Sequence, residues 1–185
     1  MIMNGSDHTS KVYEQYWLHL RHQELQRIHF TSAFALIFGV VLTFTIDGTT
    51  STQKQAILLF LAFLSIVGLM LVQRWNFSYI HYREMANKIQ EDWKIQDLNI
   101  WNREPEIAKK SIIFKVPASS VYISFYAFCF GLCVGLFMLA IEIPLIYSII
   151  LPSFIAILLI LFFTKMAFEY RHEIREIIYP KLHEK

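Results

Sequence analysis

Four uncharged apolar segments limit what this 185-residue chain can fold into. They cover residues 30–46, 56–72, 121–141 and 145–164, and none of them contains Asp, Glu, Lys, Arg or His. A helix of about 20 apolar residues crosses the hydrocarbon core of a bilayer. The predicted fold class is therefore all-α: a four-transmembrane-helix membrane protein with two hairpins, an N-terminal interfacial helix and cytoplasmic helical extensions.

The polar stretches around these segments divide the chain into five parts. Residues 1–29 are predicted to form a cytoplasmic N-terminal amphipathic helix, because their aromatic and apolar residues recur at helical spacing. The other predicted parts are the first transmembrane hairpin (30–73), a cytoplasmic helical segment (74–117), the second transmembrane hairpin (118–164) and a cytoplasmic C-terminal helix (165–185).

The basic residues are distributed very unevenly. Of the 17 Lys and Arg residues, only Lys54 lies in the two short connections inside the hairpins. Lys and Arg mark the cytoplasmic side of a membrane protein. The sequence therefore predicts a multi-pass protein of the inner (cytoplasmic) membrane with both termini inside. Because so little chain lies outside, any partner is expected on the cytoplasmic side or within the membrane.

Aromatic and basic residues flank the first hairpin. Tyr16 and Trp17 precede the first apolar segment, and Arg74 and Trp75 follow the second. Such side chains favour the headgroup region, where an apolar body and a polar tip are both solvated. We predict that these four residues anchor the helices at the membrane interface.

Small residues recur along the third apolar segment. Ala127, Gly131 and Gly135 are four residues apart, and Ser120 and Ser124 lie close to the same stripe. Small residues at this spacing let two helix backbones approach closely in a membrane. The stripe predicts a helix–helix contact, either within one protomer or between protomers.

A second stripe lies in the predicted cytoplasmic helices. Tyr82, Met85, Ile89 and Trp93 are spaced for one helical face, and Tyr170 lies in the C-terminal helix. We predict that these residues dock a cytoplasmic partner.

No catalytic constellation is present in the sequence. The chain has no Gly-rich phosphate loop, nucleophile elbow or HExxH motif. Its seven His residues match no spacing of metal or haem ligands, and its net charge of +2 is too small to indicate nucleic-acid binding. We therefore predict no enzyme activity, no cofactor, no catalytic or metal-binding residue and no direct nucleic-acid partner.

The first half of the chain has a recognisable architecture. An Arg- and His-bearing amphipathic helix precedes a tight transmembrane hairpin, and a cytoplasmic helix with Trp and Tyr-Arg near its start follows. The residues concerned are 20–29, 30–46, 56–72, Trp75 and Tyr82-Arg83-Glu84.

Over residues 12–98 this architecture resembles the SLATT-type effectors, the SMODS- and SLOG-associating two-transmembrane proteins of bacterial conflict systems. The resemblance implies a protein that perforates or depolarises the membrane when a partner senses phage or nucleotide signals. It implies no catalytic residues. The chain departs from the two-transmembrane pattern in its second hairpin, at residues 121–164.

The leading functional hypothesis is a homo-oligomeric inner-membrane component of a prokaryotic defence or signalling system. It would act as a pore-forming or membrane-perturbing effector under the control of a cytoplasmic protein, with membrane lipid and further copies of the chain as its other partners.

One alternative is a non-conducting scaffold that tethers a soluble partner. A second is a redox or metal membrane protein that uses His29, His81 and His172. Proton-coupled transport is disfavoured, since the apolar segments contain no ionisable residue.

Overall fold

The computed structural model describes residues 5–48, 50–92 and 118–179, and these residues form four helices. The helices are α1 (Gly5–Gly48), α2 (Ser51–Asp92), α3 (Ala118–Ala140) and α4 (Leu145–Ile178). Each contains a stretch that is long and apolar enough to cross a membrane, which indicates a multi-pass membrane protein. The parts predicted at residues 93–117 and 180–185 lie outside the described residues.

Three of the helices are much longer than a bilayer requires. α1 has 44 residues, α2 has 42 and α4 has 34, whereas about 20 are enough to cross the hydrocarbon core. The N-terminal amphipathic part and the first apolar segment form one uninterrupted helix. We call the polar extensions the charged end; it comprises residues 5–29 of α1, 74–92 of α2 and 165–178 of α4.

α2 occupies the centre of the arrangement. It packs on α1, α3 and α4, and α3 also packs along α4. Side chains that the structure buries on α2 and α3 form much of the core, among them Leu61, Leu69, Val72, Ile123 and Tyr126. α1 and α4 instead leave bulky apolar side chains exposed, including Leu36, Phe44, Phe154 and Phe162.

A glycine sets the distance between α2 and α3. The fully buried ring of Tyr126 lies directly against Gly68, where an added Cβ would be 2.3 Å from Cε1 of that ring. The Tyr126 hydroxyl donates a hydrogen bond to Thr31 Oγ1 of α1 at 3.3 Å. The same ring contacts Phe34, with 4.8 Å between the ring centroids. One aromatic side chain thus joins three helices.

The connection between α3 and α4 is a tight turn built on a Schellman motif. The Glu142 N–H donates to the Leu139 carbonyl and the Ile143 N–H donates to the Met138 carbonyl, both at 3.0 Å. Glu142 occupies the left-handed region at φ 65°, where glycine is the favoured residue. Pro144 follows and restricts further extension of α3.

We expect Glu142→Gly to stabilise the protein by up to about 1 kcal/mol, because glycine adopts the left-handed conformation without the Cβ clash. Glu142→Ala is the matched control, since it removes the carboxylate but keeps the Cβ. Thermal unfolding in detergent measures both variants. Equal stabilisation by the two variants would show that charge, not backbone strain, is responsible.

Candidate functional site

A buried carboxylate joins α2 and α4 at the charged end. The Glu84 side chain is 3% exposed and forms two ion pairs with arginines of α4. Arg171 Nε lies 3.2 Å from Oε1, and Arg175 Nε lies 3.2 Å from Oε2. The two arginines are four residues apart and so share one face of α4. We call Glu84, Arg171 and Arg175 the ionic clamp.

The ionic clamp fixes the relative position of two helices. Both oxygens of Glu84 are engaged, which a buried carboxylate requires if it is to stay charged. Towards the apolar segments the contact continues with Phe77 against Tyr170, whose ring centroids are 4.4 Å apart. Gln73 then donates through Nε2 to the Phe163 carbonyl at 3.3 Å. α2 and α4 are therefore held together by polar and aromatic contacts where they leave the apolar region.

Arg27 is buried in α1 close to this clamp. The residue is 4% exposed, and its guanidinium lies over two aromatic rings. Its Cζ is 5.1 Å from the centroid of Tyr79 and 5.6 Å from that of Tyr122. Arg27 Nε has no hydrogen-bond partner among the described residues. The structure thus buries a permanent positive charge whose described contacts are with ring faces.

A cavity of about 300 Å³ lies beside Arg27, between the helices. Residues from all four helices line it, including Arg27, Asn76, Arg83, Ser120 and Arg171. Asn76 is 4% exposed, and its Nδ2 also has no partner among the described residues. We call this the interhelical cavity. Its chemistry suits the binding of an anion, because the two buried groups that lack a partner there, Arg27 Nε and Asn76 Nδ2, are both hydrogen-bond donors.

Two carboxylates also line the interhelical cavity. Glu84 belongs to the ionic clamp, and Glu24 lies near Tyr79. Burial raises the pKa of Tyr79 above its usual value of 10.0, and the nearby Glu24 raises it further. The phenol therefore stays protonated and can donate to Glu24 at neutral pH.

The small-residue stripe of α3 lies against α4 of the same chain. A Cβ added at Gly135 would be 2.7 Å from the Ser148 carbonyl oxygen, and one at Gly131 would be 3.2 Å from the Pro152 carbonyl oxygen. Ala127 is fully buried, Ser124 is half-buried, and Ser120 lines the interhelical cavity. Of the two alternatives for this stripe, the structure places Gly131 and Gly135 in the contact within the protomer.

The residues predicted to dock a cytoplasmic partner differ in their contacts and in their burial. Tyr82 packs on Tyr16 and His19 of α1, with centroid distances of 5.9 and 5.1 Å. Met85 and Ile89 are half-buried. Trp93 lies outside the described residues.

Tyr82 and Tyr170 also line a groove of about 700 Å³ between α2 and α4. Its other lining residues include Arg74 and His81. The two tyrosines thus face one accessible surface of the charged end, whereas Met85 and Ile89 are not among the residues that line it.

Of the predicted interface anchors, Arg74 and Trp75 directly follow the second apolar segment, whereas Tyr16 and Trp17 lie about 20 Å before the first one in the continuous helix α1. Trp75 packs edge-on against Phe30 at 5.3 Å, and Trp17 packs edge-on against Tyr13 at 6.0 Å. Arg74 is exposed, and Tyr16 is half-buried. None of these positions requires a role beyond packing and solvation at an interface.

The histidines named for a redox or metal site are separately placed. His29 is exposed, His81 lines the α2–α4 groove, and His172 lies 3.2 Å from Glu176 of its own helix. Within the described ranges, no group of three or more His, Cys, Asp and Glu side chains could hold a metal ion.

The sequence interpretation missed the ionic clamp and both unpartnered donors, Arg27 and Asn76. The spacing of Arg171 and Arg175 indicates a basic face on α4, but nothing in the sequence names Glu84 as its partner. The sequence alone does not distinguish Arg27 from the other charged residues of an amphipathic helix. Its burial depends on α2 and α3, whose Tyr79 and Tyr122 rings pack against its guanidinium.

Comparison of the chain with protein-family models, with curated proteins and with solved structures finds no match in any of the three. The function therefore has to be inferred from the geometry of the site and from the sequence patterns.

Proposed function

We propose that this chain is the subunit of a homo-oligomeric inner-membrane assembly in a prokaryotic defence or signalling system. A cytoplasmic protein partner would bind the charged end and thereby control a pore-forming or membrane-perturbing step. The observation that carries this proposal is the continuity of α1, α2 and α4, which run unbroken from the charged end into the apolar segments. Because a helix is stiff, a displacement at the charged end also moves the apolar part.

The distribution of charge supports a cytoplasmic charged end. Lys54, in the first turn of α2, is the one Lys or Arg residue between the first two apolar segments or between the last two. By the positive-inside rule, both termini and the ionic clamp then face the cytoplasm. The resemblance of residues 12–98 to SLATT-type effectors supports the same orientation and a membrane-directed action.

The exposed apolar faces of α1 and α4 support assembly. Bulky side chains such as Phe44 on α1 and Phe162 on α4 lie outside the protomer core, where lipid or another copy covers them. Gly131 and Gly135 are already occupied by α4. Contacts between copies would therefore use the outer faces of α1 or α4 instead of the small-residue stripe.

The experiment that tests this function is ion flux in vesicles that contain the purified chain. We expect low flux from the wild type and at least a several-fold increase from Glu84→Gln, because this change weakens the contact between α2 and α4 and mimics the action of a partner. Glu169→Gln is the matched control, since Glu169 forms an exposed ion pair with Lys165 on one helix. Native mass spectrometry of the same samples measures the oligomer.

Two results would contradict the proposal. A monomer in mild detergent would remove the assembly, and equal background flux from all three proteins would remove the conducting step. In the second case a non-conducting scaffold that tethers a soluble protein becomes the better interpretation.

One observation favours that scaffold as the second candidate. Several small hydroxyls of the apolar segments bond to their own helix: Thr43 donates to Gly39, Thr45 to Val41 and Ser65 to Leu61, at 2.7–2.9 Å. Hydroxyls used in this way contribute little to a polar path.

A further inference from the structure

The burial of Arg27 leaves a positive charge without a carboxylate partner. Arg27 forms no ion pair among the described residues, and its Nε has no acceptor there. The rings of Tyr79 and Tyr122 offset part of the desolvation of the guanidinium. Isolated buried charges are strongly unfavourable, so they are normally paired with a counter-ion. The interhelical cavity beside Arg27 is where such an anion fits.

The other donors of the cavity point to the same ligand. Asn76 Nδ2 is buried and has no partner in the described part of the chain. Arg83 and Ser120 line the same space of about 300 Å³, whereas Arg171 at its wall is already paired with Glu84. Of the two carboxylates at its wall, Glu84 is engaged by the ionic clamp, and Glu24 lies near the Tyr79 hydroxyl on an exposed position of α1. What remains is a set of donors, from several helices, for one compact anion.

We propose that the interhelical cavity binds a phosphate group, carried either by a lipid headgroup or by a soluble phosphate compound. Guanidinium groups match the oxygens of a phosphate in charge and in geometry, and several donors can share its oxygens. Asn76 and Ser120 lie within about one helical turn of the apolar segments that end at residue 72 and begin at residue 121. The cavity therefore lies at the depth expected of lipid phosphates. This inference does not depend on whether the protein conducts ions.

Binding to the purified full chain in a non-ionic, phosphate-free detergent tests this inference. The probes are dioctanoyl phosphatidylglycerol and, separately, inorganic phosphate, with calorimetric titration as the measurement. We expect saturable binding of at least one probe by the wild type. Arg27→Gln should weaken that binding by about tenfold or more, because it removes a charge-assisted hydrogen bond.

Two further variants make the result specific. Arg83→Gln changes an exposed arginine of the same cavity, so it should weaken binding several-fold even if Arg27→Gln impairs folding. Arg74→Gln is the matched control, because Arg74 is an exposed arginine near the same depth of α2 that lines the other groove. Its affinity should stay within about twofold of the wild type.

The two probes identify the source of the phosphate. Binding of phosphatidylglycerol alone assigns the cavity to a lipid headgroup, whereas binding of inorganic phosphate, with or without the lipid, assigns it to a soluble phosphate. Failure of the wild type to bind either probe overturns the inference. Equal weakening by Arg74→Gln and Arg83→Gln also overturns it, because binding would then follow general surface charge.

Discussion

Replacing both Arg171 and Arg175 with Gln is expected to destabilise the protein by about 3–5 kcal/mol, because Glu84 is left buried without a partner. The Glu84 side chain is 3% exposed, whereas those of Arg171 and Arg175 are 42% and 53% exposed. Glu84→Gln should destabilise the protein less, by about 1–2 kcal/mol, because the half-exposed guanidinium groups of the two arginines can be solvated by water instead. Each single arginine variant should cost less than the double variant, because the other arginine still pairs with Glu84.

Unfolding in mixed micelles, followed by circular dichroism, measures these differences. The decisive comparison is the triple variant with Gln at positions 84, 171 and 175. It removes the buried Glu84 carboxylate, which the double arginine variant leaves without a partner. We expect it to recover part of the stability lost by the double variant. Hydrogen exchange should show faster exchange at residues 165–179 in the double variant than in the wild type.

An outcome in which Glu84→Gln destabilises the chain more than the double arginine variant would contradict this account. It would mean that the carboxylate stabilises the fold through contacts other than the two arginines. The exposed pair of Lys165 and Glu169 provides the control, because breaking it should change stability by less than about 1 kcal/mol.

Gly135→Ala is expected to destabilise the protein by about 1–3 kcal/mol by forcing α3 and α4 apart. Its new Cβ would lie 2.7 Å from the carbonyl oxygen of Ser148, which is a backbone atom and cannot rotate away. The residue four positions after Ser148 is Pro152, which has no N–H to donate to that carbonyl. The close approach of Gly135 is therefore possible where α4 lacks one internal hydrogen bond.

Gly39→Ala is the matched control for this substitution. It is also a helical glycine of an apolar segment, but no neighbouring atom lies within 4 Å of an added Cβ. Alanine is the better helix former, so this variant should be neutral or more stable by up to about 1 kcal/mol. The same unfolding assay measures both proteins.

The quaternary state of Gly135→Ala separates the two interpretations of the small-residue stripe. We expect lower stability with an unchanged oligomer, since the contact lies between α3 and α4 of one chain. Loss of the oligomer without loss of protomer stability would instead assign the stripe to a contact between copies.

The class of the fold was predictable because its cause is local. Residues 30–46, 56–72, 121–141 and 145–164 contain no ionisable side chain, and apolar segments of this length satisfy their backbone in lipid as helices. The prediction of an all-helical chain with four such helices is confirmed for the described residues. The tight turn before Pro144 was predictable for the same reason, since very few residues separate the last two segments.

The candidate site was not predictable, because its parts are far apart in the sequence. Glu84 and Arg171 are separated by 87 positions, and many other acidic and basic residues could have paired with either one. Helical spacing indicates which residues share one face of a helix. It does not indicate which face of another helix packs against them. The small-residue stripe has the same ambiguity, which only the position of Gly135 beside Ser148 resolved.

The sequence by itself thus determined the number of apolar helices, and its basic residues predict their orientation, because hydrophobicity and charge act on each segment separately. The tertiary structure alone decided that Glu84 is buried between two arginines and that Arg27 is buried without an ion pair among the described residues. Burial is a property of several helices together. A charged residue therefore becomes a candidate binding group only when other helices pack around it and exclude water.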